Sequence, residues 1–305
     1  MIRFCYLFPL LPLLFASCKF DNPEERLKPK IVVTTSILAD GIRNLVGDSA
    51  EVVALMPAGV DPHLYKASAR DLDLLQSADL VIYHGLFLEG KMTEIFEKLE
   101  FSQTLINVSA EIPLDLLLRS GPEAHAVDPH IWFDVNLWAM AMMHASAEII
   151  AWKPNWNSYV QKNSIAYQDQ LSQLNLNTAA KMEELNQSNQ ALITAHDAFA
   201  YFGQAYGIEV LGLQGLSTLS EPGLRDLTSL VKFIVDRDIK AVFAEQTISP
   251  KAIEAVVAGC QNQNHPIKLS GPLYTDSLGD PSGTAGTYIG MVSTNVNLIF
   301  QSLNP

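Results

Sequence analysis

The chain has 305 residues, is 48% hydrophobic and 17% charged, and carries a formal net charge of −13. That much apolar material excludes wholesale disorder, and the length sets a prior of about two domains. The acidic balance excludes nucleic acid as a partner, because such a surface repels a phosphate backbone.

The N-terminus carries a lone positive charge, Arg3, followed by an apolar run from Phe4 to Ala16. A bilayer span takes about 20 residues; this run is shorter and is interrupted by Pro9 and Pro12. Residues 1–17 therefore read as an export signal. Phe15-Ala16-Ser17-Cys18 resembles a lipobox, with Phe in place of the usual Leu, so Cys18 is expected to carry lipid. Residues 18–30 are polar and contain Pro, as a tether should. These features place the mature protein outside the cytoplasm, in a periplasm or on the outer cell surface, anchored through Cys18. Cys5 leaves with the signal and Cys260 is the remaining cysteine, so no intramolecular disulfide is expected. Cys260 reads as a small buried hydrophobe.

Strand candidates then alternate with helices, the pattern of α/β folds with parallel sheets. Strands are expected at 31–35, 51–55, 80–83 and 104–108, with helices at 67–77 and 92–99 among them. Four more strands are expected at 191–195, 209–212, 241–245 and 267–269. From Asn155 to Phe202 there is neither Gly nor Pro, and Val160, Tyr167, Leu171, Leu174, Met182 and Leu185 recur at helical spacing. This is a long amphipathic helix with a narrow apolar stripe. The expected architecture is two α/β lobes, each with a mostly parallel four-stranded sheet flanked by helices, at residues 31–154 and 189–305. One rigid helix over 155–188 joins them, which implies small relative lobe movement. The chain is expected to be a monomer.

Four side chains stand out among the groups that could ligate a metal. His63 and His130 share the tripeptide Asp-Pro-His, which presents each imidazole from a stiff turn. Asp61 or Asp128 is a candidate acceptor for the second ring N–H. His196 directly follows the strand 191–195, and Asp276 follows the last strand. Side chains beyond the carboxyl ends of strands face the crevice where α/β proteins bind ligands. Two of the four fall in each lobe, so a site between the lobes would draw on both. Three imidazoles and a carboxylate suit zinc and tolerate manganese or iron. Spacing alone leaves the ordinary alternative open, in which these histidines are structural.

Further motifs carry a resemblance. The stretches VTTSILADGIRNLVGD (33–48), PAGVDPHLYKASARDL (57–72), ADLVIYHGLFLEGKM (78–92), DPHIWFDV (128–135), TAHDAFAYFGQAYG (194–207), LSTLSEPG (216–223) and LYTDSLGDPSGTAGTYIGMVSTNV (273–296) resemble TroA/ZnuA-type solute-binding lipoproteins of bacterial metal ABC importers. The resemblance implies two α/β lobes on one long helix. It implies that His63, His130, His196 and Asp276 hold one divalent transition metal as cargo; for a capture role, the metal-free site is expected to be open at the surface between the lobes. It also implies an ABC permease and its ATPase as partners. Manganese-selective members of that family tend to carry Glu at the third ligand, where this chain has His196. Zinc-specific members often carry a long His-rich loop before the second ligand; here that region, 118–130, adds only His125. His84 stands where relatives usually have Asn and reads as a loop residue without a role.

Gly85 to Met92 nearly spells a phosphate-binding loop, but Met92 occupies the place of the Ser or Thr that would hold magnesium. No HExxH, GxSxG or GxGxxG pattern occurs. An enzyme is therefore not expected. The rival readings are an exported zinc hydrolase and a module for a metal chelate.

Overall fold

The computed structural model describes residues 28–120, 126–185 and 190–304. The export signal, Cys18 and His125 lie outside the described residues.

The first half is built on four parallel strands. β1 (Lys30–Thr35) is followed by α1 (Ser36–Val46), which begins where the Thr35 hydroxyl accepts the Leu38 N–H at 3.2 Å. β2 (Glu51–Met56) leads through a loop to α2 (Ala69–Gln76), opened by a capping box of Ser68 and Asp71. β3 (Leu80–Tyr83), α3 (Thr93–Leu99) and β4 (Leu105–Asn107) complete it, in the order β2-β1-β3-β4. The central strand β1 is buried from Ile31 onward, as a parallel strand covered on both faces must be. A two-residue antiparallel pair, β5 (Arg119–Ser120) and β6 (Ala126–Val127), precedes α4 (Val135–Trp152).

α5 (Asn157–Leu185) is the joining helix. At 1.5 Å per residue its 29 residues span about 44 Å. All six apolar positions of its expected stripe are buried. It begins after a short 3₁₀ turn at Pro154–Trp156, two residues later than the composition suggests. It packs on α1 and α4 of the first half and on two helices of the second.

The second half repeats the strand–helix alternation: β7 (Ala191–His196), α6 (Ala200–Tyr206), β8 (Glu209–Gln214), α7 (Leu224–Asp236), β9 (Ala241–Glu245), α8 (Lys251–Asn262), β10 (Lys268–Leu273) and α9 (Tyr288–Leu303). β7 pairs with β8 and β9 with β10, both in parallel, and β7 lies alongside β9. β8 carries a glycine for a reason. A Cβ on Gly212 would sit 2.4 Å from the Asp197 backbone nitrogen, so only glycine lets β8 run this close to the turn after His196.

One apolar cluster crosses the boundary between halves. It runs from Ile31 and Ile42 through Trp138 and Leu171 to Leu192, Tyr288 and Ile299. Smaller clusters fill the outer layers, one holding Val32, Leu75 and Phe96, the other Ile193, Ile234 and Cys260. Polar ties add to the central contact. Tyr288 N donates to Asp40 Oδ2 at 2.9 Å, and Leu278 N to Ser36 Oγ at 3.0 Å. The residues that follow the carboxyl ends of β2, β7 and β10 converge at the seam between the halves.

Candidate metal centre

The four side chains singled out in the sequence meet at that seam. His63 lies in the loop after β2, His130 just beyond β6, His196 at the end of β7, and Asp276 just beyond β10. One ligand atom from each lies within 4.8 Å of all the others. His63 Nε2 is 3.3 Å from His130 Nε2. Asp276 Oδ1 is 3.5 Å from His130 Nε2 and 4.0 Å from His63 Nε2, and Oδ2 is 3.5 Å from His196 Nε2. Bonds of about 2.0–2.1 Å to a tetrahedral zinc would put neighbouring ligand atoms about 3.3 Å apart. The cluster is therefore close to the size one ion requires.

Burial marks the group as more than a polar patch. His63 is 6% exposed, His130 and His196 are 0%, and Asp276 is 1%. The surface-open site expected of the metal-free protein is not what the structure has: none of the four side chains is more than 6% exposed. His196 Nε2 and both carboxylate oxygens of Asp276 are buried without a hydrogen-bond partner. Orphaned buried polar atoms are costly, and three converging on one point are satisfied together by a cation.

Two rings are aimed by carboxylates. His130 Nδ1 donates to Asp128 Oδ1 at 2.7 Å, and the His130 backbone N–H donates to the same oxygen at 2.9 Å. His196 repeats the arrangement with Glu245 at the end of β9: the ring Nδ1 bonds Oε2 at 2.5 Å and the backbone N–H bonds Oε1 at 2.8 Å. An ionised carboxylate only accepts, so each Nδ1 carries a proton and each Nε2 faces the centre, where its lone pair becomes available to a metal once the second proton leaves. Asp128 thus fills the orienting role considered for it. Asp61 does not: it accepts the His63 backbone N–H at 2.8 Å and never reaches a ring. Glu245 escapes the sequence pattern, its only signal being an acidic residue closing an apolar strand.

His84 also differs from its sequence reading. It is 1% exposed, and its Nε2 donates to the Pro129 carbonyl at 2.7 Å, holding the turn that presents His130. Its own backbone N–H is taken by the buried Glu89 at 2.8 Å. Trp132 lies between the rings of His84 and His130, with centroids 5.0 and 5.2 Å away, and its Nε1 donates to the Thr275 carbonyl at 2.9 Å beside Asp276. His144 on α4 and His265, bonded to the Ile239 carbonyl, lie away from the cluster. Cys260 is buried in the outer core and no ligand.

The electrostatics separate the rings. Burial lowers His63 to about 4 against the pull of Asp276. Burial also opposes charge on His130, but Asp128 and Asp276 outweigh it and lift the ring to about 9. His196 is raised well above the ordinary imidazole value, because Glu245 and Asp276 overcome burial there too. Asp276 is held well below the usual carboxylate range, as His196, His130 and His63 outweigh its desolvation. The pocket is built for positive charge.

Comparison with known proteins agrees with this chemistry. Residues 31–302 match the family described as ZnuA, zinc-uptake complex component A, periplasmic. The chain is 41% identical over 274 residues to the manganese-binding lipoprotein MntA of Bacillus subtilis, covering 90% of this chain and 89% of that protein. It is 40% identical over 276 residues to the zinc-binding protein TroA of Treponema pallidum, with the same coverage of 90% and 89%. The solved structure of periplasmic zinc-binding TroA from T. pallidum superposes with a TM-score of 0.88 at 39% identity, over 91% of this chain and 100% of that one.

Proposed function

Because the chain belongs to the ZnuA family of periplasmic zinc-uptake components, we propose that it captures one divalent transition metal with His63, His130, His196 and Asp276 and hands it to an importer. It is the solute-binding component of a metal ABC transporter, and its cargo is zinc or manganese. The observation that carries the ligand assignment is the convergence of three orphaned buried atoms, His196 Nε2 and both oxygens of Asp276, with the two other imidazoles. Three nitrogen donors favour zinc, and a carboxylate able to bind through one oxygen or two also admits manganese and iron. The relatives named for manganese and for zinc are nearly equally similar at 41% and 40%, so identity does not choose between the two ions. Elemental analysis of protein purified from its native host, with zinc and manganese competition titrations, tests the reading. One metal per chain is expected, and a metal-free protein that binds neither ion overturns it.

The role is capture, not catalysis. A catalytic zinc keeps a coordination position open for water. Here four side chains surround the point and the protein covers it, which argues against a hydrolase. The site is also enclosed, with none of its four side chains more than 6% exposed, which argues against a chelate. Loaded protein docks as a monomer on a membrane permease driven by a cytoplasmic ATPase, and lipid on Cys18 keeps it at the membrane. The relative from B. subtilis is named a lipoprotein, and Phe15-Ala16-Ser17-Cys18 supports the same for this chain. Cys18→Ser should release the protein from membranes in a fractionation assay; unchanged association contradicts anchoring there.

A further inference from the structure

His63 is held differently from the other two imidazoles. His130 and His196 each bond a carboxylate through the ring, whereas among the described residues no carboxylate stands behind the His63 ring. The constraint on His63 comes through its backbone. His63 N–H donates to Asp61 Oδ1 at 2.8 Å, and the other oxygen of Asp61 accepts the Thr218 hydroxyl at 2.6 Å. Thr218 lies 157 residues away, on the far side of the seam, in the stretch LSTLSEPG that the ligand set leaves without a role. Two residues before Asp61 the turn is fastened again: Gly59 N donates to Ser277 Oγ at 2.9 Å, next to the ligand Asp276. His63 is also the most exposed of the four ligands, at 6% against 1% or less. The short turn thus runs from exposed Gly59 down to buried His63, and side chains of the opposite half hold it in place.

We propose that residues 59–63 form the gate of the metal site and that Thr218, acting through Asp61, is the positioning residue that keeps the gate shut and so sets how slowly the ion leaves. This rests on the four-ligand reading above. With the gate open, the ion keeps His130 and His196, whose rings are held by Asp128 and Glu245, together with Asp276, and loses His63. With the gate closed, the Thr218–Asp61 bond adds to retention without touching the metal. Removing it raises the energy of the closed, loaded state and leaves the open encounter unchanged, so the off-rate should change and the on-rate should not.

The test is release of zinc from the purified mature protein into excess chelator, followed by stopped flow. Thr218→Val keeps the shape and removes the hydroxyl; loss of a hydrogen bond to a carboxylate should speed release by about tenfold or more. Association should change little. Thr218→Ser restores the donor and should release zinc near the wild-type rate. Asp61→Ala should already be fast, and adding Thr218→Val to it should bring no further increase. Wild-type release from Thr218→Val, equally fast release from Thr218→Ser, or additive effects of the two sites would overturn the gate. His63→Ala separates this from the ligand assignment. If it binds zinc as tightly as wild type, the ligand set itself is wrong. If it loses affinity while Thr218→Val releases normally, only the gate fails.

Discussion

At the scale of the residue, the site sets a conflict between protons and metal. Metal needs the bare Nε2 of each ring, yet Asp128 and Asp276 hold the His130 ring protonated up to about 9, against its burial. The sign follows directly. A folded-state value above the unfolded one of about 6.5 stabilises the metal-free protein fully below 6.5, and that contribution is lost as pH rises through about 9. Each proton displaced by the ion makes apparent affinity rise about tenfold per pH unit over the same window. His196, raised by Glu245 and Asp276 against burial, pushes the same way. Metal affinity should therefore climb well past the ordinary imidazole range, and the melting gap between loaded and metal-free protein should widen between about pH 6.5 and 9. Calorimetric titration in buffers of different ionisation enthalpy checks this through proton release; affinity independent of pH above 7 contradicts it. The four converging side chains were legible because each sits in a local pattern, two in Asp-Pro-His and two just past a strand. Glu245, His84 and Thr218 were not, since their partners lie 49, 45 and 157 residues away and no local spacing encodes them.

At the scale of the element, α5 shows what periodicity can and cannot reveal. Its apolar stripe on an otherwise polar helix announced both its length and its buried face. α4 gave no such signal: VNLWAMAMMHASAEIIAW is apolar almost all round, because its outer face also carries apolar residues, Met143 among them at 56% exposed, and so does not mark the period. The strands were legible as short apolar runs, but their assembly was not. Pairing β7 with β8 and β9 with β10 depends on contacts between distant segments. Because α5 belongs to the cluster that crosses both halves, a cavity in it should weaken the whole protein. Leu171 is fully buried at mid-helix. Leu171→Ala should lower unfolding stability by about 2–5 kcal/mol in one cooperative transition measured with denaturant. Two separated transitions, or no loss, would show that the halves fold independently of the helix.

At the scale of the whole molecule, a continuous core, a 29-residue helix and several polar ties leave little freedom for the halves to swing apart. Opening of the sealed site is then local, at the turn carrying His63. Solution scattering should give the same radius of gyration for metal-free and metal-loaded protein within error; a clear expansion on metal removal contradicts a rigid frame. In the proposed division of work, His196 stands on the end of β7, His130 and Asp276 lie three residues beyond β6 and β10, and the turn carrying His63 moves. The claim on which all of this depends is that four distant side chains share one ion. Its most direct measurement is a zinc titration of metal-free protein beside His63→Ala, His130→Ala, His196→Ala and Asp276→Ala, with folding of each checked by circular dichroism. One site per wild-type chain and a large loss of affinity in every folded variant is the predicted result. Wild-type affinity retained by all four variants would contradict it.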